Sequence, residues 1–230
     1  MAAPAPLATL KDDKDPLDFA AHRSQLTYTS CYCEENVWKM CEKVRDRTGA
    51  NGLASSSDEL LSRCHVAFIS NPGKTVPLWW QKASSDPANQ PVVWDYHVIL
   101  IFDGRGKAFS IPSASATSSS SSWVYDLDTC LPFPSDFRQY FDRTFGNDDE
   151  MKTKYKRFFR VIPAAEYLRH FASDRRHMIR PDGSWNMPPP EYPAIVAADG
   201  VVNNIDKFID VTQKQFLGRV LDAKEMRGRF

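Results

Sequence analysis

Val37, Trp38, Met40, Cys41 and Val44 recur at the spacing of one helical face, and Glu42, Lys43, Arg45 and Asp46 supply a polar one. The pattern predicts a helix over about 33–46. Thr48-Gly49 is its expected stop; hydroxyls in 27–30 stand before its start, and Glu34 and Glu35 suit the positive helix end. A different texture begins at residue 65. Residues 65–70 are β-rich and stop at the turn signal Asn71-Pro72-Gly73, with 76–80 expected as the returning strand. Residues 92–102 are nearly continuous in Val, Ile, aromatic residues and Leu, as in a strand covered on both faces, and 123–128 is the expected partner.

Between those two strands, residues 103–106 read as a turn and 110–122 as a Ser/Ala-rich insertion that cannot pack a core and is expected to be solvated. Leu131-Pro132-Phe133-Pro134 is a break, followed by an acidic and aromatic stretch. Residues 158–162 predict another buried strand. A helix is expected over 163–171, with Pro163 in the first turn where its missing N–H costs nothing. Pro188-Pro189-Pro190 marks a stiff loop, 205–209 a short helix begun by Asn203 or Asn204, and 220–226 a terminal helix. Strands flanked by helices imply a layered α/β or α+β domain. The organisation read from the chain is a flexible tail over 1–24 and one domain over 25–230.

Composition narrows the function classes. At 230 residues and 42% hydrophobic content, one compact core is the economical solution. Lys plus Arg equals Asp plus Glu at 29 each, so no net field favours nucleic acid or an acidic membrane, and neither is an expected partner. No run approaches the ~18 apolar residues of a membrane-spanning helix, and the N-terminal stretch lacks a secretory apolar core. The five cysteines, at 31, 33, 41, 64 and 130, are odd in number and lack zinc-ligand spacing, so reduced thiols in cytosol or nucleus and no metal site are expected.

The chain supplies, in order, a thiol at Cys33, an imidazole at His97 and a carboxylate at Asp126 or Asp128. These are the parts of a thiolate nucleophile, its base and the group that orients the base. A helix N-terminus and a nearby imidazolium lower a thiol pKa, which favours Cys33 over Cys31, the latter standing before the helix. Glu34 and Glu35 would oppose ionisation if they faced the sulfur, so they are expected to point away or to bind substrate. His97 and Asp126 fall on neighbouring strands about 4.8 Å apart, within reach of a hydrogen bond. Asp128 shares the face of Asp126, so alternation does not choose between them. On the residues alone, a satisfied core histidine at 97 and a strand-end cap at 126 remain an open reading. His22, His65, His170 and His177 are expected to be structural.

Ser30-Cys31-Tyr32-Cys33-Glu34-Glu35-Asn36-Val37-Trp38-Lys39, Trp94-Asp95-Tyr96-His97-Val98, Tyr125-Asp126-Leu127-Asp128-Thr129, Phe171-Ala172-Ser173-Asp174-Arg175 and Pro188-Pro189-Pro190-Glu191-Tyr192-Pro193 closely resemble the protein N-terminal glutamine amidohydrolase family. The likeness runs in order from about Thr27 to Val211. It implies a three-layer α-β-α sandwich of the transglutaminase-like or papain-like cysteine enzymes, and conversion of an N-terminal glutamine side chain to glutamate with loss of ammonia. It further implies Cys33 as nucleophile, His97 as base and Asp126 as orienter, with no cofactor. Proteins or peptides with a free N-terminal glutamine would be the substrates, a monomer in cytosol and nucleus the working form, and arginylation-dependent degradation the destination of the product. Glu34, Glu35 and Asp95 are candidate ligands for the substrate α-amine. The Ser-rich insertion, the charged N-terminal tail and the region after Val211 depart from the family pattern. Two other readings stay open: a cysteine protease or transglutaminase built on the same three groups, and a non-catalytic module that binds N-termini.

Overall fold

A computed structural model describes residues 15–47, 54–104 and 122–230. Its elements are helices α1 (Cys33–Asp46), α2 (Ala54–Ser62), α3 (Phe137–Phe145), α4 (Ala164–His170), α5 (Ile205–Ile209) and α6 (Ala223–Arg229). The strands are β1 (Cys64–Ser70), β2 (Val76–Leu78), β3 (Val92–Trp94), β4 (His97–Phe102), β5 (Trp123–Tyr125), β6 (Ser135–Asp136), β7 (Phe158–Pro163) and β8 (Arg219–Leu221). Six of them form an antiparallel sheet in the order β6-β5-β4-β1-β7-β8, while β2 and β3 pair separately.

The alternation of side chains along β1 and β4 divides the core. Val66 and Phe68 of β1 and Val98, Leu100 and Phe102 of β4 meet Val37, Met40, Cys41 and Val44 of α1 on one face. Ala67 and Ile69 with Ile99 and Ile101 meet Phe137, Tyr140, Phe141 and Phe145 of α3 and Met226 of α6 on the other. Each fully buried Val, Leu, Ile or Phe contributes about 1.5–3 kcal/mol, so both faces of the sheet are strongly held. The result is a mixed α/β fold on an antiparallel sheet.

Helix α1 and strand β1 match the pattern in the chain, α5 follows Asn204 as expected, and Pro163, expected in the first turn of its helix, is instead the last residue of β7 and the N-cap of α4. Other segments differ. Residues 92–102 are two strands, because the chain turns at Asp95, whose carboxylate accepts the N–H of Tyr96 at 2.9 Å. Strand β2 returns to β3 rather than to β1. Residues 220–226 are the end of β8 and then α6, separated by a capping box in which Asp222 and Glu225 satisfy each other's backbone N–H. The aromatic stretch after residue 134 is helix α3, capped by Asp136.

The expected tail is docked from Asp15 onward. Leu17 and Phe19 are fully buried, and the Asp15 carboxylate accepts the Tyr125 hydroxyl. Two apolar residues set among charged ones carry no periodicity, so this docking has no local signature. Thr48-Gly49, residues 1–14 and all of the Ser-rich insertion except Ser122 lie outside the described residues. Ser122 itself is buried, and its carbonyl accepts the Phe137 N–H at 2.9 Å. Among the described residues no helix is long and apolar enough to cross a membrane.

Candidate active site

Helix α1 begins at Cys33, and its approach is fixed by Asn36. That side chain accepts the Thr29 N–H at 2.8 Å and donates to the Thr29 carbonyl at 2.9 Å. The first turn is pinned from another element by the Tyr167 hydroxyl, which donates to the Glu34 carbonyl at 3.0 Å. These contacts bring the Cys33 sulfur against β4, where the backbone N–H of Val98 donates toward it.

The sulfur is not electrostatically favoured at rest. Burial pushes the Cys33 thiol well above its ordinary range, and the carboxylates of Glu34, Asp128 and Asp95 push the same way against the Val98 amide. The resting group is therefore a neutral thiol, which donates to Glu34 Oε2 at 3.7 Å. Of the two expectations for Glu34, pointing away or binding substrate, the first does not hold, since its carboxylate faces the sulfur. Tyr96 donates its hydroxyl to the same Oε2 at 3.0 Å and holds the carboxylate inward.

His97 is the first residue of β4 and Asp126 follows the last residue of β5. Their side chains, each about 1% exposed, meet at 3.0 Å between Nε2 and Oδ1, with the Trp94 ring stacked on the imidazole at 5.8 Å. Alternation left Asp126 and Asp128 equivalent, but β5 ends at Tyr125 and the turn that follows gives the hydrogen bond to the imidazole to Asp126, while Asp128 accepts the Tyr28 hydroxyl. Burial alone would lower the His97 pKa; the charge and hydrogen bond of Asp126, then Asp128 and Glu34, outweigh it and raise it. Burial likewise opposes ionisation of Asp126, yet its bonds to His97, the Asp128 N–H and Tyr140 hold it below the usual carboxylate range.

Two supports of Asp126 were not visible in the sequence. The Tyr140 hydroxyl donates to Oδ2 at 2.8 Å, and Gln81 Nε2 reaches the same oxygen at 3.4 Å. The Asp128 N–H takes Oδ1 at 2.9 Å. Ligand atoms of His97, Asp126 and Asp128 lie within 4.8 Å of one another. With Asp126 already accepting from four donors, the group fits an orienting carboxylate better than a metal ligand.

The three candidate amine ligands have separate fates. Glu35, the next residue round the α1 turn, is buried and held bidentately by Arg175 at 2.9 and 2.8 Å, so its charge already has a partner within the protein. Asp95 is exposed and close enough to Cys33 and His177 to be felt by both. Glu34 is fully buried, and its Oε1 has no hydrogen-bond partner among the described residues. The nearest cation-capable group is His177 Nε2, at 3.8 Å. His177 had been expected to be structural, yet neither of its ring nitrogens is hydrogen-bonded among the described residues.

The family model described as N-terminal glutamine amidase matches residues 28–230. A protein named protein N-terminal glutamine amidohydrolase from Drosophila melanogaster is 47% identical over 207 residues, covering 90% of this chain and 89% of its own. One of the same name from Drosophila mojavensis is 48% identical over 171 residues, covering 74% and 72%.

Proposed function

The chain belongs to the N-terminal glutamine amidase family, a family of amidohydrolase enzymes, and on that premise we propose that it deamidates the side chain of N-terminal glutamine through a Cys33 thiolate. What carries the reading is the buried His97–Asp126 pair at 3.0 Å, standing one residue from the amide that meets the Cys33 sulfur.

In this mechanism His97 takes the thiol proton as sulfur attacks the amide carbon. The anionic carbonyl oxygen is received by the backbone N–H of Cys33 at the helix start. His97 then returns the proton to the departing nitrogen, and ammonia leaves a thioester. Water, deprotonated by His97, attacks the thioester, and the sulfur leaves and regains the proton. One water is consumed and one ammonia is released. Asp126 acts on the imidazole alone, holding Nε2 so that Nδ1 faces the reaction.

Glutamine must also be told from asparagine. One methylene is worth only ~1–3 kcal/mol in an apolar pocket. A fixed α-amine converts that difference into misplacement, and ~1 Å can cost about 100-fold. The resemblance to transglutaminase-like enzymes, the cytosolic and nuclear setting and the delivery of the product to arginylation-dependent degradation belong to the same proposal. Peptides with glutamine first, glutamine internal and N-acetylated glutamine first test it. Ammonia from the first alone is expected. Backbone cleavage would indicate a protease, and binding without ammonia a silent N-terminus reader.

A further inference from the structure

A single unanswered carboxylate stands beside the nucleophile. Glu34 Oε2 is engaged by Tyr96 and by the Cys33 thiol, while Oε1, also buried, has no hydrogen-bond partner among the described residues. A buried polar atom left unpaired costs about 1–3 kcal/mol, so native proteins seldom keep one without a reason. His177 lies 3.8 Å away with both ring nitrogens likewise buried and unpaired among the described residues, although its side chain as a whole is 23% exposed. It sits on a single 3-10 turn, Arg176–Met178, which a small rotation of the imidazole does not disturb.

We propose that Glu34, with His177 closing over it, is the receptor for the substrate's α-ammonium ion. The inference deepens the deamidase reading and rests on it. An ammonium donates to several acceptors at once, so it would answer both the Glu34 Oε1 lone pairs and a neutral His177 nitrogen. The span agrees. In glutamine the amine nitrogen and the amide carbon are four bonds apart, roughly 5 Å when extended. A reacting sulfur approaches to ~3–3.5 Å. The unpaired oxygen of a carboxylate whose other oxygen is 3.7 Å from that sulfur is within reach of the far end. Glu35 is excluded by its bidentate bond to Arg175, and Asp95 is exposed, where water screens its charge.

The arrangement carries a consequence for activation. In the free protein the negative charge of Glu34 opposes formation of a thiolate at Cys33. An ammonium ion bound to that carboxylate cancels the opposition, so a free N-terminus activates the nucleophile that will act on it. An acetylated terminus brings no positive charge and leaves the thiol neutral.

The test uses the wild-type full chain, iodoacetamide, and mass mapping of alkylation at Cys33. Glycinamide supplies an α-ammonium without a reactive side chain, and N-acetylglycinamide is its uncharged control. Glycinamide is expected to accelerate Cys33 alkylation by about tenfold or more, the control not at all. Glu34→Gln should be alkylated faster than wild type without additive and should ignore glycinamide. No acceleration, or equal effects of the two amides, would overturn the receptor. Should Glu34→Gln fail to fold, the two wild-type arms still decide. The alkylation arms need no turnover: absence of ammonia from a glutamine-first peptide strikes the deamidase reading, whereas turnover without the glycinamide effect strikes only the receptor.

Discussion

Glu34→Gln replaces a fully buried carboxylate by an amide of nearly equal shape, retaining an oxygen to accept the Tyr96 hydroxyl. Burial raises the Glu34 pKa from 4.5 to about 7. The folded protein thus binds this proton more tightly than the unfolded chain, and the group costs nothing below pH 4.5, progressively more between 4.5 and about 7, and its full penalty above. At about 1.36 kcal/mol per unit the penalty comes to about 3 kcal/mol. Removing the charge should therefore stabilise the protein at pH 8 by up to about 3 kcal/mol, or roughly 6–12 °C in Tm for a chain of this size, and at pH 5 by less than about 1 kcal/mol. Thermal and urea unfolding of wild type and Glu34→Gln at the two pH values measure it. Equal shifts at pH 5 and pH 8, or destabilisation at pH 8 alone, would refute the claim that an uncompensated charge is stored beside the sulfur.

Tyr140→Phe removes a hydrogen bond to a buried carboxylate, worth about 1.5–3 kcal/mol. Activity should fall by about tenfold or more with little change in KM, and steady-state kinetics on a glutamine-first peptide would show it. Arg175→Met leaves Glu35 charged and buried without its partner; a loss of about 3–5 kcal/mol in denaturant unfolding is expected, and much less when Glu35 is also made Met. Because His97 must be neutral to accept the thiol proton and its pKa is raised, kcat/KM should decline on the acid side with a midpoint above 6.5. A midpoint at or below that value would contradict the coupling to Asp126.

The sequence was readable wherever structure is set locally. The stripe Val37, Met40, Cys41, Val44 specifies α1, and the place of Cys33 in its first turn follows from it. Phe137, Tyr140, Phe141 and Phe145 carry an equally good helical stripe behind Asp136, so α3 is as legible in the sequence as α1, while the capping-box spacing of Asp222 and Glu225 moves the start of the expected terminal helix from 220 to 223. The break at Asp95 was masked by β-formers on both sides of it. The supports of the site are a different matter. Gln81, Tyr140, Arg175 and His177 reach Asp126, Glu35 and Glu34 only because the sheet and α1 bring distant segments together. No local spacing encodes those meetings. The inward turn of Glu34 has the same origin, since Tyr96, 62 positions away, decides it.

The central claim is that the Cys33 sulfur, served by His97, exchanges the side-chain nitrogen of an N-terminal glutamine for oxygen. Mass spectrometry of a glutamine-first peptide incubated with wild type and with Cys33→Ala tests it most directly, since loss of NH2 for OH adds about 1 Da. The account predicts that gain with wild type, none with a folded Cys33→Ala protein, and none on an internal glutamine. Undiminished conversion by Cys33→Ala would contradict it.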